Sequence, residues 1–182
     1  MKIQQRDLIK ELRAMTAAAQ EDLALFKQEP EELLNAKTDV GSWSVLENME
    51  HLCRYGAFYL PEIEKQMDAS QSSGGTYFKS GLLGDYFVKI IRADNKKKLK
   101  ATAEMDVSGL ALGKSTLNRL SRQLEWLDRL LQESEQVSLN RVKTAISLSS
   151  LVKLRLGDTL RFLVHHNERH FVQAKEGLRD LK

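Results

Sequence analysis

The sequence predicts an all-α fold, and three observations carry that prediction. Gly numbers 10 and Pro only 2 among 182 residues, so helices can run with few interruptions. Aliphatic residues dominate the hydrophobic share, which gives strands little local encouragement. Apolar residues recur at spacings of three and four in several long segments, the period of a helix with one buried face. A chain of this length fits one domain, residues 1–182, and folding can bury about 70% of the surface that the unfolded chain exposes.

The first helix is expected over residues 7–27, where Leu8, Leu12, Met15, Ala19, Leu23 and Phe26 form one stripe between charged and amide side chains. Pro30 disfavours helical geometry at Glu29, and the region of Gly41 is turn-like, so the segment between is read as a connection. The second helix has the clearest start. Ser44-Val45-Leu46-Glu47 is S-x-x-E, in which the Ser44 hydroxyl caps the backbone and Glu47 bonds back. Its apolar content runs to about Met67, with a possible kink at Pro61.

Residues 68–113 read as a long crossover that opens with "DASQSSGG" and holds a short helical candidate at 82–91. A connection of this length lets the helices on either side run parallel. The third helix, 115–135, carries Leu117, Leu120, Leu124, Leu127 and Leu131 as a single stripe. The stretch "QVSLNRVKTAISLSSLVKLR" is irregular or extended, and a last helix runs from Gly157 or Asp158 to about Leu178.

A formal charge of +3, from 28 basic and 25 acidic residues spread along the chain, describes a solvated surface rather than a polyanion-binding field. The densest basic run, lysines 96–98 and 100, lacks interleaved aromatics that could stack on bases, so nucleic acid is not an expected partner. No stretch approaches the 18 or so uncharged apolar residues that a membrane helix needs, so no membrane partner is expected. The single Cys53 cannot pair within the chain and no secretory h-region is apparent, which makes the cytoplasm the expected location.

The chemistry of the sequence lies in its histidines. On the last helix, Leu160 and Leu163 define the inward face, and the next steps along it are His166 and His170, an HxxxH. Two imidazoles at i and i+4 lie one above the other and can converge on one metal ion if a third ligand arrives from elsewhere. His51, in the second turn of the second helix, is the candidate. His165 is rotated about 100° from His166 and reads as a surface or helix-contact residue. Cys53, two positions from His51, falls almost on the opposite side of its helix and reads as a buried structural thiol. Trp43, Tyr55 and Trp126 read as core or pocket wall.

These residues carry a resemblance. W-S-x-x-E-x-x-x-H-L, here Trp43, Ser44, Glu47, His51 and Leu52, is followed about a hundred residues later by H-x-x-x-H-x-x-Q, here His166, His170 and Gln173. Over essentially its whole length the chain resembles the DinB-like (DinB/YfiT) superfamily of four-helix metalloenzyme-like proteins. The resemblance implies a four-helix bundle with a long crossover between helices 2 and 3, a metal site at His51, His166 and His170 that takes zinc or nickel, and homodimers. Some members of the superfamily are thiol S-transferases or isomerases that use a low-molecular-weight thiol. The chain departs from the form H-x-x-H-H-x-G-Q in having Arg169 before the second histidine and Val172 in place of the glycine.

Three neutral imidazoles leave a coordination position open, which belongs to catalytic rather than structural metal sites. The expected function is therefore a metal-dependent enzyme acting on a small-molecule substrate, with thiol-dependent transfer or detoxification chemistry as one form of it. The other reading is a non-catalytic homodimeric stress or interaction protein with a weak or vestigial metal site. Glu47 is either the capping-box partner of Ser44 or a group that orients His51, and Gln173 has a similar ambiguity between orienting His170 and ordinary polar contact.

Overall fold

A computed structural model describes residues 2–95 and 101–182 of the chain. In chain order the elements are β1 (Lys2–Gln4), α1 (Gln5–Phe26), α2 (Glu31–Asn35), α3 (Val45–Asp68), β2 (Tyr77–Lys79), α4 (Leu82–Ile91), α5 (Ser115–Glu133), β3 (Lys143–Ile146), β4 (Ser149–Arg155) and α6 (Leu156–Asp180). The protein is mostly helical, and the all-α expectation is amended by two small sheets. β1 pairs antiparallel with β2, and β3 with β4 as a hairpin whose register slips between Ala145 and Ile146. The lysine run at 96–98 and 100 lies outside the described residues.

Local chemistry explains the main boundaries. At the start of α3 the full capping box is present: Glu47 N–H donates to Ser44 Oγ at 3.1 Å, and Ser44 N–H donates to Glu47 Oε2 at 2.8 Å. Pro30 stands immediately before α2, whose first turn is acidic at Glu31 and Glu32, a favourable charge for a helix N-terminus. After β3 the chain turns at Ser147-Leu148 and returns as β4, closing the hairpin.

Packing fixes how the long helices run. α1 and α3 each pack against both α5 and α6, which sets α1 across from α3 and α5 across from α6. One apolar cluster joins Leu8, Ile9 and Leu12 of α1 to Tyr59, Leu60 and Ile63 of α3, Leu127, Leu130 and Leu131 of α5, and Leu156, Leu160 and Leu163 of α6. A second joins Leu23 and Phe26 of α1 to Leu46, Met49 and Leu52 of α3, Leu117, Leu120 and Leu124 of α5, and Phe171 and Leu178 of α6. The start of α1 thus lies beside the end of α3, the end of α5 and the start of α6. α3 and α5 therefore run parallel, and the long connection between them carries the chain back to the other end. Each fully buried leucine in these clusters contributes about 2 kcal/mol of apolar burial.

Part of that connection is pinned to α6. Buried Asp158 accepts from Ser80 Oγ and, at 2.8 Å, from the Gly81 N–H, while Arg161 reaches Asp85 of α4 at 3.5 Å. The close approach depends on Gly84, because a Cβ there would stand 2.3 Å from Asp158 Cγ. No helix among the described residues is long and apolar enough to cross a membrane.

Candidate metal centre

On α6, His166 and His170 stand between Val164 of one apolar cluster and Phe171 of the other; on α3, His51 stands between Met49 and Leu52, both of the second cluster. All three rings are buried, at 3%, 2% and 7% exposure for His51, His166 and His170. His166 Nε2 lies 3.3 Å from His51 Nε2 and 3.1 Å from His170 Nε2, and one ligand atom from each residue falls within 4.8 Å of the others. Nitrogens bound 2.0–2.1 Å from a tetrahedral ion stand about 3.3–3.4 Å apart, so the two distances from His166 Nε2 are close to those of a metal site and the group could hold an ion.

The protonation of two rings is fixed from behind. His51 Nδ1 lies 2.7 Å from the Met105 carbonyl oxygen, which can only accept, so Nδ1 carries the proton and Nε2 keeps its lone pair. Asn48 Nδ2 donates to the Ser44 carbonyl at 2.9 Å, which turns Asn48 Oδ1 towards His170 Nδ1 at 2.8 Å. His170 is thereby held in the same tautomer, with its Nε2 lone pair towards the other rings. His166 has no such support: its Nδ1 is buried without a hydrogen bond among the described residues. Either of its nitrogens can carry the proton, so it can offer Nε2 as a ligand in its neutral form.

Burial pushes all three imidazoles below their usual pKa, His166 and His170 far below it. The neighbouring rings and the Arg169 guanidinium push His166 further in the same direction, and His51 and Arg169 do so for His170. Neutral imidazole is the form that binds a metal ion. The surrounding walls are aromatic. The Trp43 ring lies 4.7 Å from that of His51 and 5.7 Å from that of His170, Tyr55 lies 4.3 Å from His166, and Phe162 stacks on His166 at 5.6 Å. Burial also raises the Tyr55 phenol, to about 12.

The segment that supplies the Met105 carbonyl is clamped to α3. Arg54 donates to the carbonyls of Glu104 and Asp106, both at 2.8 Å, Trp43 Nε1 donates to Ser108 Oγ at 2.9 Å, and the Gly109 N–H donates to Glu47 Oε1 at 2.7 Å. Glu47 also pairs with Lys37 at 2.7 Å. Burial pushes its carboxyl up, but the Lys37 and backbone N–H bonds together hold it below the usual range. Glu47 makes no hydrogen bond to His51. It acts through the cap and through Gly109.

Other sequence expectations resolve individually. Gln173 is exposed on α6. His165 is buried, with Nδ1 3.1 Å from Glu168 Oε2. It belongs to a stripe with Arg161 and Arg169, which reach Asp85 and the Arg92 and Asn95 carbonyls, so that flank of α6 faces α4. Cys53 is buried, its thiol 3.7 Å from the Thr116 carbonyl, and burial pushes its pKa up.

Fold and site together define a mostly helical protein with a buried three-histidine group that could hold a metal ion. The chain belongs to the DinB superfamily, whose family model matches residues 8–174. No curated protein and no solved structure matches it.

Proposed function

We propose that the protein is a metal-dependent enzyme in which His51, His166 and His170 hold one divalent ion, zinc or nickel, and that it acts on a small molecule with a low-molecular-weight thiol as candidate cosubstrate. The observation that carries this reading is the position of His166 Nε2, 3.3 Å from His51 Nε2 and 3.1 Å from His170 Nε2, with all three ligand atoms within 4.8 Å of one another and two of the rings set in their tautomer by partners behind them. In this reading the four long helices make the DinB-like four-helix bundle, with residues 68–113 as its crossover, in one domain over 1–182 located in the cytoplasm.

His51, His166 and His170 would hold the ion as neutral imidazoles, and the chemistry it would supply is a water or thiol made more acidic. The protein's own contribution is orientation and exclusion of water. Met105 and Asn48 hold two rings in place, and Trp43, Tyr55 and Phe162 surround them with apolar surface that strengthens charge interactions inside.

The second reading, a non-catalytic homodimer, draws support from exposed apolar residues. Leu82 and Tyr86 on α4 and Leu151 on β4 are 96%, 57% and 93% exposed, and α4 packs against β4. Metal analysis of untagged protein separates the two. Stoichiometric zinc or nickel that is lost on His166→Ala supports the enzyme; metal-free dimers of undiminished stability support the alternative. The thiol is tested by thermal shift of the metal-loaded protein against common cellular thiols, and absence of any shift removes it.

A further inference from the structure

The two strand pairs each turn one side to the core and one to solvent. In the first, Ile3 and Phe78 face inward, and Lys2 stands across from Lys79 on the outer side. In the second, Thr144 and Leu154 face inward, and Lys143 stands across from Arg155 on the outer side, with Lys153 beside them. Asn140 ties the two sheets together, accepting from the Lys79 N–H at 2.9 Å and donating to the Tyr77 carbonyl at 2.7 Å. Arg155 also donates to the Lys79 carbonyl, so the outer sides adjoin.

This surface continues into apolar residues. α4 starts just beyond Lys79, and a Cβ on Gly81 would stand 3.8 Å from Arg155 Nε. Leu82, Leu83 and Tyr86 lie exposed on one side of α4, opposite Gly84, Val88 and Ile91, which are buried. Leu151, almost fully exposed, alternates with Lys153 and Arg155 along the outer side of β4, against which α4 packs. We infer that this joined cationic and apolar face docks on an anionic lipid surface, with Leu82 and Leu151 entering the headgroup boundary and the lysines and Arg155 meeting lipid phosphates.

Charge is the first argument. Like charges directly across a strand pair cost stability, and the fold holds two such pairs side by side. None of the five cations makes an ion pair among the described residues. Asp85, the carboxylate of α4, is paired with Lys89 at 2.9 Å and offsets little of this charge. Along the chain these cations are scattered; folding gathers them.

The apolar side chains choose the occupant. A second copy is a poor fit, because a two-fold interface sets the patch against itself and brings cation against cation. A nucleic acid would meet the cations and leave the exposed leucines in water. An anionic bilayer answers both, since its phosphates pair with the cations and its acyl boundary takes the leucines. The protein would lie on the bilayer, which requires no spanning helix. No residue of the histidine triad takes part, so the inference stands apart from the metal reading.

Flotation of the full chain with vesicles tests it. The protein should bind vesicles of equal parts phosphatidylcholine and phosphatidylglycerol about tenfold or more tightly than phosphatidylcholine alone, and added salt should weaken the binding. Lys79→Gln combined with Lys153→Gln should reduce that binding about tenfold or more. Leu82→Ser combined with Leu151→Ser should also reduce it, at an unchanged melting temperature because both side chains already stand in solvent. Equal binding to the two vesicle types, or to neither, overturns the proposal without any variant. Anionic vesicles that bind the leucine variant as well as the parent overturn it too. A polyuridine oligonucleotide bound equally by parent and leucine variant, or a dimer in solution that Leu82→Ser dissociates, gives the face another occupant and likewise overturns it.

Discussion

Asn48 and His170 stand 122 residues apart in sequence, yet their side chains meet at 2.8 Å, with the amide oxygen of one on the ring Nδ1 of the other. Asn48 is itself held by the carbonyl of Ser44, the residue that caps α3. The cap that starts the helix thus also sets the tautomer of a histidine on α6. Asn48→Ala removes the acceptor and leaves a buried N–H without a partner. Metal affinity should fall roughly 10–100-fold, read by competition with a chromogenic chelator, while the helix content stays as it is. Unchanged affinity would show that the ring needs no support from behind.

The depressed pKa values of His166 and His170 make the metal-free protein sensitive to mild acid. An unfolded histidine takes up its proton near pH 6.5, whereas these rings stay neutral well below that. The unfolded state therefore binds more protons, and stability falls as pH drops below 6.5 and continues to fall until the folded rings protonate. The melting temperature of the metal-free protein should be flat from pH 7 to 8 and decline between about pH 6.5 and 5. A His170→Asn variant should show a shallower decline over that interval; an identical slope in the two proteins would remove the histidines as its cause.

Two glycines on helices should respond in opposite directions to alanine. At Gly84 a Cβ would meet Asp158 Cγ at 2.3 Å, and Asp158 is held by Ser80 and Gly81, so it cannot step aside. Gly84→Ala should destabilise by about 1–3 kcal/mol in urea unfolding. Gly177, on α6, has nothing within 4 Å of the same position, and Gly177→Ala should stabilise by about 0.5–1 kcal/mol through helix propensity.

Glu47→Gln tests the clamp on residues 104–109. The carboxylate accepts from the Ser44 and Gly109 N–H groups and pairs with Lys37, and its lowered pKa means that these bonds stabilise the fold above about pH 4.5 and weaken as pH falls through the lower folded value. The neutral amide should cost about 1–3 kcal/mol at pH 7, and hydrogen exchange at the Gly109 amide should accelerate. Protection of Gly109 equal to that in the parent protein would show that other contacts hold the segment.

The legible parts of the fold were those with local signals. The capping box fixed the start of α3 at Val45, and the apolar period placed α4 at Leu82–Ile91. The i, i+4 spacing put His166 and His170 on one face, and His51 came to meet them. α2 had a signal that was read only as a break: α1 already ends at Phe26, and Pro30 stands before a helix with an acidic first turn. β1 and β2 are three residues each and some seventy residues apart in the chain, too short and too distant for any pattern to join them. Asn48 offered a faint hint, as a residue that favours caps and turns placed inside a helix.

Met105 contributes to the centre through its main-chain oxygen, so its side chain is irrelevant to the bond it makes with His51. Replacing that methionine one amino acid at a time would leave the interaction standing, and homologues could differ freely there while keeping the same atom in the same place. What would abolish it is a change of path, such as lengthening or shortening the strap between 101 and 109. Tolerance to insertions and deletions, rather than to substitutions, is the measure of how much this stretch matters.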